Sequence, residues 1–74
     1  MLINITGGQL EVDFVCLATK TSYCICDLSG KELKAGKFEQ ASHHVVDLSG
    51  IAAGIYNLCI IDGDQLHKTK FQVT

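Results

Sequence analysis

The sequence predicts an all-β domain, an antiparallel sandwich of about seven short strands. Three observations carry that prediction. Apolar and polar residues alternate with a period of two in segment after segment, the spacing that sends successive side chains to opposite faces of a strand. Clusters of glycine with serine, threonine or aspartate interrupt these segments at close intervals, and such clusters are turn material. No segment sustains the 3.6-residue period of an amphipathic helix.

Taken in order, "LINI" is a short first strand, and Thr6, Gly7 and Gly8 turn it into "QLEVDF". There Leu10, Val12 and Phe14 share one face while Gln9, Glu11 and Asp13 share the other, as in a half-buried strand. "TSYCICDL" is a third strand, rich in β-favouring residues and stopped at Ser29-Gly30, with its inward face ambiguous. "KELKAGKFEQ" carries Gly36 at its middle and three lysines, which suits an edge strand bulged at the glycine and protected by charge. "HHVVDL" and "GIYNLCIID" follow as strands five and six, joined by "SGIAAG", with Tyr56, Leu58 and Ile60 on one face. The "DGD" at 62 to 64 is a hairpin signal, and "QLHKTKFQV" returns as the last strand with Leu66 and Phe71 as its expected apolar anchors.

A chain of 74 residues makes one domain, here 1 to 74, and buries only about 60% of the surface its unfolded form exposes. Its hydrophobic fraction of 47% is enough to offset the ordering entropy of a small fold. The net charge of -2 and the scattered lysines offer no footprint for a phosphate backbone, so nucleic acid is not an expected partner. The apolar stretch "GIAAGIY" falls far short of the roughly 20 residues of a membrane-spanning helix. The opening "MLINITGGQLEV" lacks the charged and apolar regions of a secretory signal, which leaves a cytosolic product or a segment of a larger precursor as the expectation.

The tetrapeptide DLSG occurs twice, at 27 to 30 and 47 to 50. In each copy an aspartate and a leucine finish a strand, and serine and glycine supply a turn in which short polar side chains bond the local backbone and glycine tolerates positive φ. The flanks "CICDLSGKEL" and "VVDLSGIAAG" diverge at once, so the repeat reads as strand-ending grammar rather than as a duplicated site.

The order of these turns carries more. "YCICDLSGKEL", then "HHVVDLSGIAAGIYNLCIIDG", then "HKTKFQV" together resemble the C-terminal sorting domain of the type IX (Por) secretion system. The matching positions are Asp27, Leu28, Gly30 and Lys31; then Asp47, Leu48, Ser49, Gly54 and Tyr56; and finally Lys68, Lys70 and Phe71. The likeness covers a core of about 23 to 73, and Gly54-Ile55-Tyr56 after Asp47-Leu48-Ser49 is its most specific part. It implies an Ig-like sandwich at the end of a cargo protein, recognised at the outer membrane, with the cargo secreted or held at the cell surface. The opening "ITGGQLEVDF" is more similar to small secreted Ig-like domains of unknown function from Bacteroidetes.

Four cysteines, Cys16, Cys24, Cys26 and Cys59, and three histidines, His43, His44 and His67, could in principle assemble a zinc sphere. No Cys-x-x-Cys pair is present. Cys24 and Cys26 share one strand face about 7 Å apart by strand rise, too far for a bridge between them. All four lie in segments read as apolar strands, so buried free thiols are the expectation, ahead of a cross-strand disulfide and of a metal site. His43 and His44 point to opposite faces and cannot readily chelate one ion; a solvated strand end accounts for both. Ser49, His44 and Asp47 can be arranged as a triad on paper, yet no nucleophile elbow, oxyanion hole or phosphate loop accompanies them. Tyr56 sits between alternating apolar neighbours and belongs in the core, its hydroxyl reaching a backbone partner.

The residues favour a non-catalytic module, without metal or cofactor, and the resemblance implies that it engages secretion machinery or another protein. A small protein-binding or adhesion domain pairing through a sheet edge is the second reading, and a Cys/His metal protein the third.

Overall fold

The computed structural model describes all of residues 1–74. Seven strands run β1 Leu2–Thr6, β2 Gln9–Asp13, β3 Thr21–Asp27, β4 Glu32–Phe38, β5 His43–Asp47, β6 Gly54–Asp62 and β7 Gln65–Val73. They form two antiparallel sheets, β1-β2-β5 and β4-β3-β6-β7. Each sheet turns one side inward, and alternation supplies the core. Leu10, Val12, Val46 and Leu48 face Ile25, Phe38, Tyr56, Leu58, Ile60 and Phe71, all buried. Ile3, Phe14, Cys16, Tyr23, Ile51 and Val73 pack around their margin.

Turn chemistry sets the register of the β1–β2 and β6–β7 hairpins. Gly7 and Gly8 each hold positive φ, 58° and 75°, as a two-residue type I′ turn demands, and Leu2 through Thr6 pair in order with Asp13 through Gln9. Between β6 and β7, Gly63 alone is positive, φ 64°, the pattern of a type II′ turn. The β6–β7 ladder is unbroken from Gly54↔Val73 to Asp62↔Gln65.

The chain crosses between the sheets at β2–β3, β4–β5 and β5–β6, and one buried carboxylate holds the first of these segments. Asp62 accepts the amides of Leu17 at 2.9 Å and Ala18 at 2.8 Å, and the Thr21 hydroxyl at 2.9 Å. These bonds, the Leu17 amide first, hold its carboxyl below the ordinary carboxylate value. On the other side, the Lys34 ammonium donates to the Asp47 carbonyl at 2.6 Å and ties β4 to the end of β5.

Several sequence expectations are corrected here. Leu66 is 63% exposed while Phe71 is 6% exposed; positions of opposite parity cannot face inward together on an unbulged strand, and His67 takes the inward place, edge-on to Phe14 at 5.0 Å. β4 is an edge strand, but its irregularity lies opposite Ile25 and Cys26, where Cys26 pairs with Glu32 and Leu33 is the extra residue. Gly36 sits in regular register with Tyr23, whose ring occupies the space of a side chain: a Cβ on Gly36 would stand 2.8 Å from Tyr23 Cε1. Cys16 lies between strands rather than within one. His43 is solvated, but His44 is buried, stacked on Phe38 at 4.2 Å and hydrogen-bonded to the Phe14 carbonyl at 3.0 Å.

Candidate functional site

The two DLSG turns share one construction. Asp27 Oδ1 accepts the Ser29 amide at 3.0 Å, the Ser29 hydroxyl at 2.7 Å and the Lys31 amide at 2.9 Å. Asp47 accepts the Ser49 amide on Oδ1 and the Ser49 hydroxyl on Oδ2, both at 2.9 Å. The following glycines, Gly30 and Gly50, hold φ 92° and 83°, which other residues adopt only with strain. Both carboxyls are held below the ordinary range, Asp27 chiefly by the Ser29 hydroxyl and Asp47 chiefly by the Ser49 amide. The leucines differ in fate. Leu48 is buried at 4% exposure and closes the core, whereas Leu28 is 60% exposed on the β3–β4 turn.

Gly54, Tyr56 and Phe71 meet at the same end of the sandwich as the first turn. Asp27 pairs with Tyr56 across β3–β6, and Tyr56 with Phe71 across β6–β7. The Tyr56 and Phe71 rings lie 5.9 Å apart, and the Tyr56 hydroxyl donates to the Ala52 carbonyl at 2.5 Å. A tyrosine near the start of its strand, bonded back to the chain four residues upstream, is the tyrosine corner of Ig-like sandwiches. Gly54 holds φ 159°, and a Cβ there would stand 3.4 Å from the Tyr56 hydroxyl.

Lys68 and Lys70 belong to the opposite side of the sheet. Paired with Cys59 and Asn57, they alternate with the inward Phe71 and stand exposed. Lys68, Asn57, Cys26, Cys59 and the turn from Asp27 to Gly30 line a shallow recess of about 330 Å³. A larger recess of about 530 Å³ lies at the far end of the strands, around Thr19 to Ser22, Lys37, Phe38, Ile61 and Gly63, and contains none of the motif residues.

Three of the four cysteines also meet on this outer face. Cys24 is the cross-strand partner of Cys59, and its Sγ lies 3.7 Å from that of Cys26; the sulfurs lean together, closer than the spacing along the strand implies. Burial and the neighbouring thiols push the Cys24 thiol up to about 12. Cys16 is elsewhere, against His44 Nε2 at 3.5 Å. No relay joins Ser49, His44 and Asp47: Ser49 bonds Asp47, while His44, at the other end of β5, is engaged with Phe14 and Phe38.

Asp62 is the structural residue that sequence reading passed over, absorbed there into the hairpin turn. Its parity with Tyr56, Leu58 and Ile60 is the signal that places it inside.

Fold and motif together define a small Ig-like β-sandwich, in which motif residues shape turns, register and core and leave lysines on the surface. More particularly, the chain belongs to the family of the secretion system C-terminal sorting domain, which matches residues 4–74. The match begins within β1, at residue 4, so it takes in β2 and most of β1 as well as the stretch from 23 to 73 that carries the motifs. This family is a secretion signal of the type IX system, not a known enzyme family. No curated protein matches the chain. No helix is long and apolar enough to cross a membrane.

Proposed function

We propose that this sandwich is an address module: it directs an attached cargo to the cell surface, and the secretion machinery reads its folded outer face. The observation that carries the reading is the division of the motif residues between inside and outside. Tyr56 and Phe71 are 8% and 6% exposed and act as framework, with Gly54 and the two aspartate turns fixing the strand ends. Lys68 and Lys70 share the outer face of the four-stranded sheet, beside Asn57 and the Asp27–Gly30 turn with its exposed Leu28. Lys31 follows on the same turn. A lysine stem can lie along such a face while its ammonium stays hydrated and available to a partner.

The test fuses residues 1–74 behind a signal peptide and a passive reporter in a type IX-competent host. Surface delivery of the reporter is expected, and retention in the periplasm overturns the reading in favour of a protein-binding or adhesion domain. Lys68→Ser with Lys70→Ser is expected to impair delivery while changing stability by no more than about 0.5 kcal/mol, as exposed substitutions do. Loss of folding would instead give the two lysines a structural role.

A further inference from the structure

We propose that Cys24, Cys26 and Cys59 form a sulfur-only site for one soft d¹⁰ cation, Cu(I) or Zn(II), on the outer face of the four-stranded sheet. The three thiol sulfurs lie within 4.8 Å of one another. Thiolates bound tetrahedrally to one ion at a metal–sulfur distance of about 2.3 Å stand about 3.8 Å apart, and the Cys24–Cys26 separation is already 3.7 Å. The backbone makes this possible by register. Cys24 faces Cys59 directly across the β3–β6 ladder, and Cys26 is the next residue on the same face of β3.

An apolar-packing role explains these sulfurs poorly. Packing against the core accounts for the half-buried Cys16, whereas Cys59, the one buried thiol of the four, lies beside Cys24 and Cys26 on the side of the sheet turned away from the core. That side also presents Ser22, Asn57 and Lys68 together with the half-exposed Ile55 and Ile61, a mixed solvent-facing surface rather than a second apolar core. A disulfide would use two of the three thiols and has no need of the third. Coordination uses all of them, and sulfur donors without histidine or carboxylate select soft ions. The partly open face leaves Zn(II) a fourth position for water, and Cu(I) can remain trigonal. Each thiol releases its proton to solvent on binding. Among the surrounding charged groups, Lys68 borders the same recess as Cys26 and Cys59 and opposes the negative charge of a tris-thiolate complex. Glu32 pairs with Cys26 from β4, and the Asp27 carboxylate is occupied by its own turn.

The experiment titrates the reduced, full 74-residue chain anaerobically with Zn(II) alone and, separately, with Cu(I) alone, followed by alkylation and peptide mapping. One equivalent of at least one of the two ions is expected to bind and to slow alkylation of Cys24, Cys26 and Cys59 about tenfold or more, leaving Cys16 unchanged. Single Cys→Ser changes in the trio should each weaken binding about tenfold or more, and Cys16→Ser should not. Because protection is read on the unaltered chain, a variant that fails to fold does not remove the test. Uptake of neither ion, equal protection of Cys16, or a Cys24–Cys59 bridge that forms as fast with the ion present as without it overturns the proposal.

Discussion

Tyr56→Phe isolates the tyrosine corner from the ring that carries it. The substitution keeps the buried ring against Phe71 and removes only the hydroxyl that donates to the Ala52 carbonyl at 2.5 Å. A hydrogen bond of this kind contributes about 0.5–1.5 kcal/mol net, and because Tyr56 is only 8% exposed water replaces it incompletely. We take about 1 kcal/mol. For a 74-residue chain the unfolding entropy is about 155 cal/mol/K, so the melting temperature should fall by about 6 °C. Thermal melts followed by circular dichroism at fixed protein concentration measure this directly. A fall of less than about 2 °C, equivalent on that slope to about 0.3 kcal/mol, would refute the corner as a stabilising contact and leave Tyr56 a core residue only.

Gly54→Ala should destabilise by about 1 kcal/mol or more. Its cost lies in the backbone at φ 159°, since the nearest contact of the added Cβ, 3.4 Å to the Tyr56 hydroxyl, is ordinary; an unchanged melting temperature would contradict this. Phe71→Ala should cost about 3–5 kcal/mol and Leu66→Ser no more than about 0.5 kcal/mol, with chemical denaturation showing whether the two really face opposite ways. The Asp62 carboxyl is held below its ordinary value of 3.8, so the stability it contributes is complete above that value and is lost as pH falls through the lower folded value. Asp62→Asn should therefore flatten the acid side of a melting temperature against pH curve below about pH 4, and an acid limb identical to that of the unaltered chain would sink the assignment. Asp27 and Asp47, lowered in the same direction, keep part of the slope.

Much of the architecture is legible in the sequence because it rests on local rules. Period-two alternation places Leu10 and Val12 on the inward face of β2 and Tyr56, Leu58 and Ile60 on that of β6, while glycine chemistry at Gly7-Gly8 and Gly63 closes the β1–β2 and β6–β7 hairpins. The two DLSG turns are equally local: aspartate, serine and a glycine of positive φ complete the loop among themselves. That is why both copies bond the aspartate to the serine amide and hydroxyl despite lying in different sheets, while the further bond from the Lys31 amide belongs to the first copy alone.

Rotamers and cross-strand neighbours are another matter. The same strand parity that would have placed Leu66 outside was obscured by its size, whereas the inward role of Asp62 required knowing that the β2–β3 segment arrives there with two free amides. Gly36 reads as a bulge until the Tyr23 ring is seen lying over it. His44 reads as a strand end until Phe38 and the Phe14 carbonyl are found beside it. The sequence by itself determined the seven strands, their turns and the inward placing of Tyr56 and Phe71, because these follow from backbone sterics and alternation within a few residues. Only the tertiary structure decided the pairings between strands distant in the chain, β2 with β5 and β3 with β6. With that pairing came the meeting of Cys24, Cys26 and Cys59, the tyrosine corner's acceptor and the recess between Lys68 and the first turn, since each depends on side chains brought together from distant parts of the chain.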